Sequence, residues 1–301
     1  MKDDLQFVKT GVIDLQLDTT MIVDATSKIK GDTTVLLDET AVRLKKDLLQ
    51  WICPVDYHMQ HRDFIDRRQL GTGEWFLHDM KFQEWHRSKG ATLFCPGIPG
   101  AGKTIMASLV IDHLLRNEHV ADGPVTFIYC NYKRQNEQFV KHMLSSILRQ
   151  IVDIQPTVPK PVQELYTSHT TRRTTPLAGE IRQALEAVSK DLQGLTIVVD
   201  ALDECETRAR QEFLSAVETL RLQCEVRLLA TSRPLPPVQS HPTFLGKPTL
   251  EVKASDEDLE KYIRSRASEL HFRVMSRPNL LDDLVTRTVR ATGGMYAQPL
   301  P

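Results

Sequence analysis

The sequence predicts an α/β fold: a three-layer sandwich in which a mostly parallel five-stranded sheet lies between helices, with a helical N-terminal extension. Three observations carry this. Short apolar runs alternate with helical patterns along residues 91–254, the order that βαβ units and a parallel sheet produce. The stretch Gly97-Ile-Pro-Gly-Ala-Gly-Lys-Thr104 fits G-x-x-x-x-G-K-[ST] and sits between an apolar run and a helical one. The run Leu195–Val199 is almost wholly apolar and ends in Asp200, which suits a central parallel strand covered on both faces.

Composition bounds the class. The 301 residues are 41% apolar and 26% charged, ordinary for a globular chain with room for a buried core. A formal net charge of -1 supplies no global field for nucleic acid or an anionic membrane. The five cysteines (Cys53, Cys95, Cys130, Cys205, Cys224) form no C-x-x-C pair. That pattern argues against a disulfide framework or a zinc site and fits a reducing compartment. No signal peptide or membrane-length apolar run is evident, so a cytoplasmic location and no membrane or nucleic-acid partner are expected.

Residues 1–54 read as a helical extension. Leu5, Val8, Val12, Leu15, Thr19, Ile22, Thr26, Ile29, Thr33, Leu36 and Thr40 follow a 3-4 spacing, a coiled-coil-like seam whose alternate members decay to Thr. It serves either self-association or protein partners, or else lies as a leader on its own domain. Pro54 closes the helix that starts at Ala41. Residues 55–90 are a helical lead-in. In it Gly71-Thr-Gly73 either wraps the base of a nucleotide or makes a plain turn, and Trp75, Phe82 and Trp85 share the core face of one helix, Trp75–Trp85.

Residues 91–254 hold the core. Ala91–Cys95 is the first strand and Ile105–Leu115 the helix after the glycine loop. In that setting Gly97, Ile98, Pro99, Gly100, Ala101, Gly102, Lys103 and Thr104 are expected to bind a polyphosphate. Gly97 and Gly102 let successive N–H groups point inward, and the helix adds the positive end of its dipole. Lys103 is expected on the β and γ phosphates and the Thr104 hydroxyl on Mg2+. A second strand follows at 124–130 and a helix from 138. The Pro- and Thr-rich residues 155–178 read as a loop or insertion. After the next helix the apolar run ends in Asp200, the pattern usually called Walker B. Asp200 is expected to hold Mg2+, and Asp203 or Glu204 to orient or deprotonate the attacking water. The fourth strand, 225–230, leads into Thr231-Ser-Arg-Pro234. If this strand lies between the first and third, Ser232 and Arg233 face the γ-phosphate as sensors. Thr249–Val252 is the fifth strand. Residues 255–301 are a helical C-terminal segment.

GTGEWFL, TLFCPGIPGAGKT, TIVVDALDEC and LLATSRP, in this order, resemble the NACHT-type signal-transduction ATPases. Within them the resemblance is to the nephrocystin-like N-terminal module common in fungal proteins with ankyrin repeats, over about residues 49–296. It implies phosphate binding by Gly97–Thr104, a metal acid at Asp200, catalytic acids displaced to Asp203 and Glu204, and sensors at Ser232 and Arg233. It further implies ATP or GTP with Mg2+ as cofactors and slow hydrolysis that switches protein–protein assembly. Family members continue into a winged helix and ligand-sensing repeats. This sequence ends soon after Tyr296, so a truncated member is expected. The alternatives are a non-hydrolysing interaction partner of longer relatives and an NTPase that turns over freely. A nucleotide-metabolising kinase is disfavoured, because no second substrate site is evident.

Overall fold

In the computed structural model the described residues are 39–116, 123–132 and 139–267, with further positions within 21–30 and 282–289. The chain divides into two compact units, Met1–Trp51 and Ile52–Pro301. Residues 39–52 form helix α1, and positions 21, 24, 26–28 and 30 are also helical. Of the N-terminal seam, Thr26 and Thr40 fall in helix; Leu5, Val8, Val12, Leu15, Thr19, Ile22, Ile29, Thr33 and Leu36 lie outside the described residues.

The second unit is built on four parallel strands: β1 (Thr92–Pro96), β2 (Val125–Tyr129), β3 (Gly194–Asp200) and β4 (Glu225–Ser232), in the order β1-β4-β3-β2. Every residue of β1, β2 and β3 is buried, so both faces of the sheet are covered. Register aligns the carboxyl ends: Pro96 pairs with Ser232, and Tyr129 with Asp200. β4 lies between β1 and β3, the condition that brings its end beside the glycine loop. The helix α5 (Lys103–Arg116) packs on β2, β3 and β4 and against α2 (Tyr57–Asp66). α6 (Val140–Ile154), α8 (Ala178–Ser189) and α9 (Thr207–Leu220) pack on one another, and the short α10 (Pro236–Gln239) follows β4.

Three expectations are corrected. The fifth strand is reduced to one parallel bridge, Phe94 to Thr249. The segment still follows the outer edge of β1: the Phe94 N–H donates to the Pro248 carbonyl (3.1 Å), and the Leu250 and Val252 N–H groups donate to the Phe94 and Pro96 carbonyls (2.9 and 2.7 Å). Pro248 has no N–H to extend that ladder. Residues 155–178 are not a loop, for Lys160–Arg172 form helix α7. The prolines that read as loop signals sit where a helix tolerates them, Pro159 at the N-cap and Pro161 in the first turn. Val162 and His169 anchor the helix by burial. The single helix expected over Trp75–Trp85 is two, α3 (Glu74–His78) and α4 (Met80–Arg87). Asp79 breaks it by taking an extended conformation and accepting the Lys81 N–H, which makes it the N-cap of α4. Phe76, Phe82 and Trp85 are buried as core, and the Trp85 indole donates to the Leu228 carbonyl (3.1 Å).

Candidate nucleotide site

The glycine loop leaves β1 at its buried carboxyl end. Its first N–H, from Gly97, donates to the Ser232 carbonyl (3.0 Å), which continues the β1–β4 ladder into the loop. A Cβ at Gly97 would stand 2.7 Å from the Val252 carbonyl oxygen, so only glycine fits there. Gly102, at φ +86°, takes the left-handed turn that starts α5, and the Met106 N–H then donates to the Gly102 carbonyl (2.9 Å). Ala101 is buried beneath the loop, while Ile98 is exposed and Pro99 and Gly100 stand at the rim. Lys103 folds over the loop, and its Nζ donates to the Gly97 and Ile98 carbonyls (2.8 and 3.0 Å). Desolvation lowers its pKa, opposed by the Asp203 and Asp200 carboxylates.

Asp200 ends β3 and is 2% exposed. Two hydroxyls converge on it: Thr104 Oγ1 donates to Oδ2 (2.7 Å) and Thr231 Oγ1 to Oδ1 (2.6 Å). Burial pushes its carboxyl up to about 6, against the pull of those hydrogen bonds and of Lys103. Ala201, at φ +53°, turns the chain out of the strand, and its N–H donates to Thr231 Oγ1 (2.8 Å). The left-handed turn places Leu202–Glu204 as a single 3-10 turn over the end of the sheet.

Both acids on that turn are engaged. Asp203, whose side chain is 4% exposed, accepts the Arg233 N–H (2.9 Å) and forms an ion pair with the Arg233 guanidinium (3.0 Å). Glu204 accepts the Tyr132 N–H (3.0 Å). The structure thus brings Thr104, Lys103, Asp200, Asp203, Glu204 and Arg233 to one edge. Ser232, expected as a sensor facing the γ-phosphate, is buried at the same strand end, and its hydroxyl donates to the Arg233 carbonyl (2.8 Å). Thr231, one residue earlier, makes the acid contact. Sequence could not choose between these two neighbours, because the choice depends on the register of β4 against β3.

Two cavities flank the start of α5. One, of about 250 Å³, lies between Thr72 and Gly73, the α5 residues Ile105, Met106 and Leu109, and Tyr262 of α11 (Asp256–Ala267). The turn at 71–73 is held to α11 by two contacts. The buried Asp258 accepts the Gly73 N–H (2.9 Å), and Lys261 Nζ donates to the Gly71 carbonyl (3.0 Å). The other cavity, of about 420 Å³, lies on the acid side and is lined by Thr104, Asp200, Glu204, Phe64 and Tyr132 among others. Ile105 and Arg67 line both. No signal in the sequence marks α11 or Arg67 as part of the site, since neither belongs to a spaced motif.

The chain matches one family and is distantly similar to several known proteins. The family described as Nephrocystin 3, N-terminal, matches residues 71–233, which holds the glycine loop, Asp200 and the 231–233 strand end. Vegetative incompatibility protein HET-E-1 of Podospora anserina is 24% identical over 207 residues, covering 65% of this chain. The chain spans only 15% of that relative's length. Among solved structures, the Aeropyrum pernix ORC1 protein in complex with DNA aligns at 20% identity and a TM-score of 0.46, over 73% of this chain and 53% of that one. AMPPCP-bound DnaA from Aquifex aeolicus aligns at 15% identity and a TM-score of 0.42, over 75% and 62%.

Proposed function

This chain belongs to the Nephrocystin 3, N-terminal family, and from that premise we propose that its second unit binds ATP or GTP with Mg2+, hydrolyses it slowly and serves as a switch for assembly with protein partners. The observation that carries the reading is the 2.7 Å contact between the Thr104 hydroxyl and the Asp200 carboxylate. A loop hydroxyl and a strand-end acid, 96 residues apart in sequence, meet at the lip of a phosphate loop. These are hard oxygen donors of the kind Mg2+ takes, and when bound the cation neutralises charge on the β and γ phosphates. Among the described residues no group of three or more His, Cys, Asp or Glu could hold a metal alone. The cation is therefore expected to arrive with the nucleotide, whose phosphates complete its shell.

The chain's own residues have separable tasks. Lys103 exchanges two loop carbonyls for phosphate oxygens. The smaller cavity, apolar along Ile105, Met106 and Leu109, takes the base. Glu204 lines the acid-side cavity, where it can hold or orient a water. Asp203 positions Arg233 at the end of β4. A second reading, binding without hydrolysis, is favoured by one observation: both acids already have hydrogen-bonding partners.

Calorimetric titration with Mg-ATP and Mg-GTP, followed by turnover assays, tests the reading. Lys103→Ala is expected to lose nucleotide binding with its fold intact. Asp203→Asn with Glu204→Gln is expected to keep affinity and lose turnover. Equal affinity in the Lys103→Ala protein and its parent would remove the phosphate site. A parent that binds but never hydrolyses would select the second reading.

A further inference from the structure

We infer that Arg67 is a second phosphate-binding cation of the nucleotide site, reaching the phosphate chain from α2 on the side opposite the β4 strand end. The inference rests on the nucleotide reading above.

Four arginines stand near the loop or line its cavities, and their partners separate them. Arg266 lies over the Tyr262 ring of its own helix, 5.7 Å from the centroid. Arg68 is committed to structure: Nε and Nη2 both donate to the Thr72 carbonyl (2.9 and 2.6 Å), with Glu74 at 3.6 Å. Those bonds hold the 69–73 turn. Arg233 is committed to Asp203. Arg67 follows α2 as its C-cap, and its own N–H donates to the Ile65 carbonyl. Among the described residues its guanidinium has neither a hydrogen-bond partner nor an ion-pair partner, and it is exposed.

Its position gives that charge a use. Arg67 lines both the apolar cavity beside Met106 and the acid-side cavity that holds Thr104 and Asp200. A nucleotide with its base in the first and its metal-bound phosphates at the second must run past Ile105, the α5 residue common to both. Arg67 is the other residue common to both cavities. The guanidinium is a planar fork suited to phosphate oxygens, and it has no competing partner to leave first.

The support beneath Arg67 is rigid. α2 packs on α5 and β2, and the buried His61 shares a hydrogen bond with Tyr129 (Nδ1 to the hydroxyl oxygen, 2.9 Å). Phe64, in the last turn of α2, packs on the Tyr129 ring at 4.8 Å between centroids. Tyr129 ends β2 in register with Asp200. The helix that presents Arg67 is thus tied to the strand neighbouring the metal acid, and a phosphate held by Arg67 would clamp α2 to the loop.

Isothermal titration with Mg-ATP on the full chain tests this, with Arg67→Ala compared with Arg62→Ala, an exposed arginine on the same helix, and with Lys103→Ala. Arg67→Ala is expected to weaken Mg-ATP binding by about tenfold or more, the scale of a lost charge-assisted hydrogen bond. Arg62→Ala is expected to bind as the parent does. Melting without nucleotide is expected to be the same for the Arg67→Ala protein and the parent. Parent-like affinity of Arg67→Ala beside a non-binding Lys103→Ala would overturn this inference while leaving the nucleotide reading standing. Equal losses in Arg67→Ala and Arg62→Ala, or a lower melting temperature of Arg67→Ala without nucleotide, would also overturn it. A parent with no affinity for Mg-ATP would overturn both readings together.

Discussion

Asp200 shows what the site costs the free protein. Its carboxyl is buried at the end of β3 and raised from 3.8 to about 6, with desolvation the largest cause. The native state therefore holds this proton more tightly than the unfolded chain does. Between about pH 4 and 6 the unfolded state binds fewer protons, so this group's contribution to stability falls as pH rises through that window. At neutral pH the cost has an upper bound of about 3 kcal/mol. Asp200→Asn keeps the volume and removes the charge. It is expected to raise the melting temperature of the nucleotide-free protein at pH 7 and to flatten its pH dependence between about pH 4 and 6. Differential scanning calorimetry at pH 4.5 and 7 checks this. A parent that is no less stable at the higher pH than the variant would refute the burial argument. The same carboxylate that destabilises the free protein is the group a cation would stabilise, so Mg-nucleotide is expected to repay this cost on binding.

At the level of elements, β2 illustrates how the sheet ends. It is the edge strand beyond β3, and an unpaired buried edge is costly. Gln150 of α6 solves this at one residue. Its Oε1 accepts the Phe127 N–H (3.0 Å) and its Nε2 donates to the Phe127 carbonyl (2.9 Å), so the side-chain amide imitates a neighbouring strand. Gln150 is buried, and Ser146 Oγ takes the remaining amide proton's direction at 3.1 Å. Gln150→Leu fills similar volume and leaves both Phe127 groups without partners. A loss of about 2–4 kcal/mol is expected, read as a lower urea midpoint with an unchanged slope. A midpoint within experimental error of the parent would mean that water satisfies the edge. α7 makes a second point at this scale. Its prolines resemble loop punctuation until their places at the helix start are known, and the burial of Val162 and His169 decides in favour of helix.

For the whole molecule, the division at Trp51 and Ile52 separates an N-terminal unit from the unit that carries the site. Among the described residues no helix is long and apolar enough to cross a membrane. The proposal for the first unit remains helix–helix association through Val8, Leu15, Ile22, Ile29 and Leu36, kept weak by the intervening threonines. Light scattering on the full chain and on a chain starting at Ala41, each with and without Mg-ATP, checks it. A mass above the monomer that disappears on truncation is the expected result; four monomeric masses would return the segment to a leader.

The glycine loop, the acid at the end of an apolar strand and the α/β class are legible in the residues alone. Each of these is written in contiguous residues: Gly97–Thr104 needs glycines for its turns, and Leu195–Val199 is apolar because both its faces are covered. What lay beyond the sequence were the relations that depend on which strands become neighbours. Parallel register across β3 and β4 chose Thr231, not Ser232, to meet Asp200. The packing of α2 and α11 around the start of α5 brought Arg67 and Tyr262 to the cavities. No local pattern could announce them, since a side chain's place in a site built from distant segments is fixed by tertiary packing and not by its neighbours in the chain.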